Sequence, residues 1–118
     1  LYVYGDVQAY YASDISLKNN ITIIADPLTK VNSIRGVEFD WSDDYLATRG
    51  GEDSYFIRKH DVGVIAQEIM HVLPECVIGQ TTGVLTVNSD SLIWYAINAI
   101  KELSAEVQSL KAQLAKGA

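Results

Sequence analysis

Ser13 and Lys18 are the two residues whose types and spacing could support a reaction. A serine hydroxyl is a weak nucleophile until a neighbouring base removes its proton. A lysine can act as that base when burial lowers the pKa of its amine toward neutral pH. Leu17 and Ile21 could supply the apolar surroundings that this requires. From these residues alone, a solvated Ser-Asp turn followed by an exposed lysine is the simpler interpretation.

The spacing of the pair determines which local structure it needs. Residues five apart lie about 140° apart around a helix, and they lie on opposite faces of a strand. Ser13 and Lys18 therefore meet only if a turn lies between them, or if contacts in an oligomer bend the segment. In the second case any reaction would depend on assembly.

The other polar and reactive side chains match no known site. The acidic residues of segment 40–53 lack EF-hand spacing, so a solvated acidic loop is expected. His60 and His71 are eleven residues apart and fit no zinc signature, so we expect core or surface roles. The single cysteine, Cys76, cannot form an internal disulfide and is expected to be a small buried or half-buried side chain. No metal and no cofactor is predicted.

Composition indicates one folded domain. The chain has 118 residues, of which 48% are hydrophobic and 20% are charged. Its net charge is −6, without the basic patch that nucleic-acid binding requires. No apolar run reaches the ~18–20 residues of a membrane-spanning helix, so neither nucleic acid nor membrane is expected as a partner. Because the sequence starts without a methionine, we expect it to be the end of a longer protein.

The first elements are short. Residues 1–12 are rich in tyrosine and are expected to form a β segment, with a domain boundary after it. Residues 21–25 favour a short buried strand. Asp26 as N-cap and Pro27 at the first helical position predict a helix start, and Gly36 fits its C′ position.

A long hairpin follows. Residues 37–41 alternate apolar and polar side chains, which predicts a strand with one buried face. The polar segment 42–54 is expected to be a loop or hairpin tip that turns at Gly50-Gly51, and residues 55–58 would form the returning strand. Downstream, the sequence predicts a strand at 62–65, a helix at 66–73 ended by Pro74, and a strand at 84–87.

The last element is a helix over about residues 90–116, capped by Ser89 or Asp90. Its apolar residues step by three and four through about three heptads, in the a and d pattern of a coiled coil. Glu106 at g and Lys111 at e favour a parallel oligomer. By themselves, Ile or Val at a and Leu at d favour two strands, and a helix packed on its own domain is the alternative. The seam consists of Ile93, Ala96, Ile100, Leu103, Val107, Leu110 and Leu114.

Several blocks occur in an order typical of one family. Together they resemble the self-cleaving intramolecular chaperone domain (peptidase S74 class, endosialidase type) at the C-terminus of bacteriophage tail fibres and tailspikes. The resemblance covers roughly residues 13–116, and similar domains occur in the myelin regulatory factor of animals. The blocks are 13–21 (Ser-Asp-Ile-Ser-Leu-Lys-Asn-Asn-Ile), 31–41, 60–68 (His-Asp-Val-Gly-Val-Ile-Ala-Gln-Glu), 73–75, 83–88 and 99–103.

The resemblance implies an α+β domain with a small antiparallel sheet, short helices, a long hairpin arm and a parallel trimeric coiled coil. The trimer is expected from the family, against the two-strand rule. Residues 1–12 would then end an upstream fibre domain, and residues 13–118 would be the chaperone. The homotrimer templates folding of the fibre, which hairpin segment 42–59 would grip. This would occur in the host bacterial cytoplasm, and the fibre would enter the virion tail without the chaperone.

The resemblance also implies a reaction. The scissile bond would be Ala12–Ser13, with Ser13 as nucleophile, Lys18 as general base and Asn20 as the better candidate than Asn19 for holding the oxyanion. Two alternatives remain open: a non-catalytic trimerisation or adhesion domain that stays on the fibre, and an unrelated binding module fused to a coiled coil.

Overall fold

The protein is an α+β domain in a computed structural model that describes residues 12–53, 55–79 and 83–117. The predicted α+β class is confirmed, with small antiparallel sheets and a long C-terminal helix. The β segment expected over residues 1–12 lies outside the described residues, apart from Ala12. In chain order the elements are α1 (Pro27–Asn32), β1 (Val37–Asp40), α2 (Asp43–Thr48), β2 (His60–Gly63), α3 (Ala66–Val72), β3 (Val77–Gly79), β4 (Leu85–Val87) and α4 (Ser89–Gly117).

The described strands form two separate antiparallel pairs rather than one sheet. β1 pairs with β2, with Val37 opposite Gly63, and β3 pairs with β4, with Val77 opposite Val87. The alternation predicted over residues 37–41 is confirmed, since the apolar side chains are half-buried and the polar ones are exposed. The strand predicted over 84–87 is confirmed as β4, whereas β3 was not predicted.

The segment expected to be a polar loop contains helix α2, so that prediction is wrong over residues 43–48. Ser42 caps this helix, because its hydroxyl accepts the backbone N–H of Tyr45 at 3.1 Å. Two aspartates in the first turn complement the positive end of the helix. The turn at Gly50-Gly51 is confirmed, since both residues have positive φ, at 92° and 84°.

The returning strand predicted at residues 55–58 is also wrong. The Asp53 carboxylate accepts three backbone N–H groups at 2.7–2.9 Å, so these donors are not available to a strand ladder. The strand that returns is β2, which begins two residues earlier than the strand predicted at 62–65. The donors to Asp53 are Tyr55, Phe56 and Ile57.

Residues 21–25 do not form the buried strand that their composition favours. Ile21 is 64% exposed and Ile23 is 87% exposed. Each described strand already belongs to one of the two pairs, and none pairs with this segment. A run of β-branched residues forms a strand only when another strand completes its hydrogen bonds.

The predicted start of helix α1 is confirmed, and its predicted end is not. Pro27 is its first residue, as expected. Asp26 occupies the N-cap position but makes no capping hydrogen bond, because its backbone is left-handed, with φ 50°. The helix ends at Asn32, so Gly36 is not at C′ and instead directly precedes β1.

The core is centred on the C-terminal end of α3. Ile69, Leu73 and Cys76 are fully buried, which confirms the expectation for the cysteine. The helix predicted at 66–73 is confirmed to within one residue, and it ends before Pro74 as expected. The half-buried side chains packed against this core are Ile34, Val64, Val72, Val77, Val87, Leu92 and Tyr95.

Helix α4 begins at Ser89, one residue before the predicted start, so Ser89 lies inside the helix rather than capping it. With 29 residues it is about 43 Å long. Its first half packs on α1 and the core through Leu92, Tyr95 and Ala99. Within residues 12–53, 55–79 and 83–117, no helix has the length and apolar character needed to cross a membrane.

Candidate active site

The structure brings Ser13 and Lys18 together. The Lys18 ammonium Nζ donates a hydrogen bond to the Ser13 hydroxyl Oγ at 2.7 Å. A single 3₁₀ turn, Ile15–Leu17, lies between the two residues and reverses the chain. Of the two arrangements that the spacing allows, the structure therefore contains the turn, and it forms within one chain.

The turn begins at Asp14, whose carboxylate Oδ1 accepts the backbone N–H of Ser16 at 2.8 Å. Two backbone hydrogen bonds of 3.1 Å complete the turn, from Leu17 to Asp14 and from Lys18 to Ile15. Hydrogen bonds from the side chain and backbone of Ser16 lower the pKa of Asp14. The sequence reasoning missed Asp14, although an Asp carboxylate often accepts the backbone N–H two residues further along the chain.

The pair lies at the surface. Ala12, Ser13 and Lys18 are all exposed, and the apolar surroundings expected from neighbouring residues are absent in the single chain. Leu17 is 67% exposed and Ile21 is 64% exposed, so neither shields the pair from water. The contact has the geometry that proton transfer from the hydroxyl to the amine would require.

Asn20 lies two residues beyond the lysine in a left-handed backbone conformation, with φ 54°. Outside glycine, asparagine is one of the few residues that adopts this conformation without large strain. Asn20 therefore has a conformational role in the segment that follows the turn, beside the oxyanion role that the sequence suggested.

Every residue of the α4 seam except Ala96 is exposed in the single chain. Leu103 is 48% exposed, Leu110 58% and Leu114 75%, and no described element covers residues 104–117. An apolar stripe of this length in water is characteristic of an association surface. Glu106 and Lys111, which flank it, are exposed as well.

One histidine links the two strands of the hairpin. The Nδ1 of His60 lies 2.9 Å from an Asp40 carboxylate oxygen, and its Nε2 lies 3.1 Å from a Glu38 oxygen. These hydrogen bonds, first to Asp40 and then to Glu38, raise the pKa of His60. Lys59 pairs with Asp43 beside this group, at 3.1 Å.

The contribution of His60 to stability should fall as the pH rises. Its pKa is higher in the folded protein than in the unfolded chain, so the contribution is complete below about pH 6.5 and is lost as the pH passes through the raised value. We expect His60→Gln to lower the melting temperature at pH 6 by a few degrees at most and to have less effect at pH 8.5. Thermal unfolding of both proteins, with His71→Gln as control, tests this. An equal effect at both pH values would contradict it.

Within the described ranges, no three His, Cys, Asp or Glu side chains are arranged to hold an ion. Burial and the nearby Glu75 carboxylate raise the pKa of the Cys76 thiol. A thiol with a raised pKa is a poor nucleophile. The Ser13–Lys18 pair is therefore the candidate site that the geometry favours.

Comparisons with known proteins agree with the resemblance found in the sequence. Residues 13–78 match the peptidase S74 family, described as the chaperone of endosialidase. The long tail fiber protein Gp37 of Enterobacteria phage K3 is 36% identical over 121 residues, covering 97% of this chain and 9% of that protein. Its counterpart in Enterobacteria phage T2 is also 36% identical over 121 residues, covering 97% of this chain and 8% of that protein.

A more distant relative is not a phage protein. The myelin gene regulatory factor-like A of Dictyostelium discoideum is 26% identical over 123 residues, covering 95% of this chain and 13% of that protein. The chain thus spans about a tenth of the length of the curated relatives it matches. Because the family match begins at Ser13 and covers more than half of the chain, the predicted family is confirmed, and the protein belongs to the peptidase S74 family, the chaperone of endosialidase.

Proposed function

We propose that this chain is a self-cleaving intramolecular chaperone at the end of a phage tail fibre or tailspike. It forms a homotrimer, templates the folding of the fibre domain that precedes residue 13, and then releases itself by cutting the Ala12–Ser13 bond. The observation that carries the proposal is the 2.7 Å contact between Lys18 and Ser13, at the start of the family match.

The reaction uses groups of this chain and one water molecule. A neutral Lys18 amine takes the proton of the Ser13 hydroxyl, and Oγ attacks the carbonyl carbon of Ala12. The bond between that carbon and the Ser13 nitrogen breaks, the nitrogen takes up a proton, and an ester joins Ala12 to Oγ. Water then hydrolyses the ester, which leaves a carboxylate on Ala12 and the free hydroxyl on Ser13.

Trimerisation through the seam of α4 explains the chaperone step. Three fibre chains must meet in register before their non-local β pairing can form, and such pairing is slow and prone to aggregation. A trimer of α4 helices raises the local concentration of the three chain ends to the millimolar scale. In this arrangement the hairpin segment 42–59 contacts the fibre. Release of the chaperone leaves the fibre kinetically stable, because the fibre can then no longer unfold by the route that the template assists.

The exposure of the pair supports a dependence of cleavage on assembly. The turn forms within one chain, so assembly is not needed to bring the two side chains together. Assembly would instead cover Leu17 and Ile21 and remove water from around the amine, which favours the neutral form that acts as a base. Synthesis and cleavage would take place in the host bacterial cytoplasm, and the fibre would become part of the virion tail.

The proposal is tested by the mass of freshly expressed protein that carries additional upstream fibre sequence. We expect the parent to yield two fragments separated between Ala12 and Ser13, while Ser13→Ala and Lys18→Ala remain intact. A single uncut mass in all three proteins would remove the protease activity and favour a trimerisation or adhesion domain that stays on the fibre. A chain that is monomeric in solution would contradict both.

Asn20→Gly separates the two roles of Asn20. Glycine keeps the left-handed backbone but removes the amide, whereas Asn20→Ala removes the amide and strains the backbone. If the amide holds the oxyanion, Asn20→Gly should cut about 10²–10³ times more slowly than the parent. Time courses of intact mass measure this. Cleavage of Asn20→Gly at the parent's rate would leave Asn20 with a conformational role alone.

A further inference from the structure

Asp14 closes the turn that joins the two residues of the site. Its backbone is extended, with φ −64° and ψ 139°, and its carboxylate accepts the Ser16 N–H at 2.8 Å, in the geometry of an N-cap. The carbonyl of the same residue accepts the N–H of Leu17 at 3.1 Å. One residue thus supplies two of the three hydrogen bonds that define the reversal between Ser13 and Lys18.

The turn has little else to stabilise it. It contains three residues, none of them buried, so packing contributes almost nothing to its formation. An isolated 3₁₀ turn has poor hydrogen-bond geometry and is short-lived without a cap. Without the turn, the spacing of five residues separates Ser13 from Lys18. The fraction of chains with the pair in contact therefore depends on the cap.

The same hydrogen bond directs the carboxylate away from the lysine. Asp14 lies four residues before Lys18, a spacing at which opposite charges often pair. Among the described residues, however, Lys18 forms no ion pair with it, and the carboxylate is bound to Ser16 instead. A carboxylate beside the amine would favour its protonated form and oppose its action as a base.

We propose that Asp14 is a positioning residue for the Ser13–Lys18 pair: its cap on Ser16 holds the turn that brings the hydroxyl and the amine together, and it holds the carboxylate off the amine. This inference rests on the self-cleavage proposed above. Asp14 touches neither the scissile carbonyl nor the attacking hydroxyl in this role, and it acts only through the conformation of the segment.

The test compares three substitutions in protein carrying upstream fibre sequence, with cleavage followed by intact mass from pH 6 to pH 10. Asp14→Asn keeps a side-chain oxygen for the cap and should cut within about twofold of the parent rate. Asp14→Ala loses the cap and should cut about fivefold more slowly at every pH, with the pH midpoint of cleavage unchanged. Asp14→Glu caps poorly and can reach the lysine, so its midpoint should move to higher pH.

Each result supports or overturns a specific statement. A parent that remains uncut overturns self-cleavage itself, and the role of Asp14 with it. A parent that cuts while Asp14→Ala cuts equally fast overturns the positioning role alone. An Asp14→Asn protein as slow as Asp14→Ala would show that the charge, not the cap, is required, which also overturns it. Melting temperature and trimer content should be unchanged in all three variants, because the turn does not contact the core; a slow variant that has also lost its trimer would count against positioning.

Discussion

Replacing Leu110 with aspartate is expected to convert the proposed trimer into folded monomers that leave the Ala12–Ser13 bond uncut. Leu110 is 58% exposed in the single chain and lies at a d position of the seam. Burying one leucine contributes about 1.5–3 kcal/mol, so three chains lose about 5–9 kcal/mol of association free energy. Three carboxylates facing one another on the axis weaken association further. The monomer should stay folded, because the core lies on earlier residues.

Ala112→Asp is the matched control, since it adds the same charge two residues along the helix at the f position, outside the seam. Sedimentation equilibrium gives the oligomeric state, and intact mass gives the extent of cleavage on the same samples. The control should remain trimeric and cut normally. A Leu110→Asp protein that stays trimeric would refute association through the seam. A monomeric variant that cuts at the parent's rate would refute the dependence of cleavage on assembly.

Truncating Ile69 to alanine is expected to destabilise the domain by about 2–5 kcal/mol, a large share of the ~5–15 kcal/mol that holds a typical domain folded. Ile69 is fully buried beside Leu73 and Cys76, so removing its methyl groups leaves a cavity that short elements cannot easily close. Urea unfolding at a fixed protein concentration measures the loss. The concentration must be fixed because oligomer formation contributes to apparent stability.

Ile78→Ala makes the same chemical change at an exposed position. Ile78 is 56% exposed on β3, and we expect its truncation to lower stability by less than about 1 kcal/mol. The difference between the two variants isolates burial from the intrinsic effect of the substitution. Equal losses would mean that another copy covers Ile78 in the assembly, so that its exposure in the single chain does not describe the functional state.

The elements that the sequence predicted well are those with a local signal. The heptad steps identified α4 to within one residue at its start, and Pro74 marked the end of α3. The alternation over residues 37–41 gave both β1 and its buried face. In each case the signal is local in the sequence: apolar periodicity indicates the type of element, and a proline cannot continue a helix.

The errors arose where a partner distant in sequence, or a side chain that binds backbone, decides the structure. Residues 21–25 have strand composition, but no described strand pairs with them. The backbone N–H groups of residues 55–57 donate to the Asp53 carboxylate instead of to a strand. Helix α2 is stabilised by a serine cap and two aspartates, which are residue types also common in loops. The ion pair between Arg35 and Glu68, 33 residues apart, had no sequence signal. The sequence indicated that Ser13 and Lys18 need a turn between them, but it did not identify the Asp14 cap that stabilises this turn.

Helix α4 has two apolar stripes: one packs on the domain through Leu92, Tyr95 and Ala99, and the other is the seam. In any assembly built on the seam, the angle between these stripes fixes the orientation of each domain. Leu92 faces the domain's own core, and Ile93, the next residue, is 55% exposed on the outer stripe. Neighbouring residues are offset by about 100° around a helix, so the positions of the two sets of residues in the sequence determine the angle between the core-facing side and the seam. One residue inserted after Ala99 would rotate the domain by that angle about the axis of α4. The direction in which the domains of such an assembly present their surfaces is thus set by the angular offset between the two stripes on one helix.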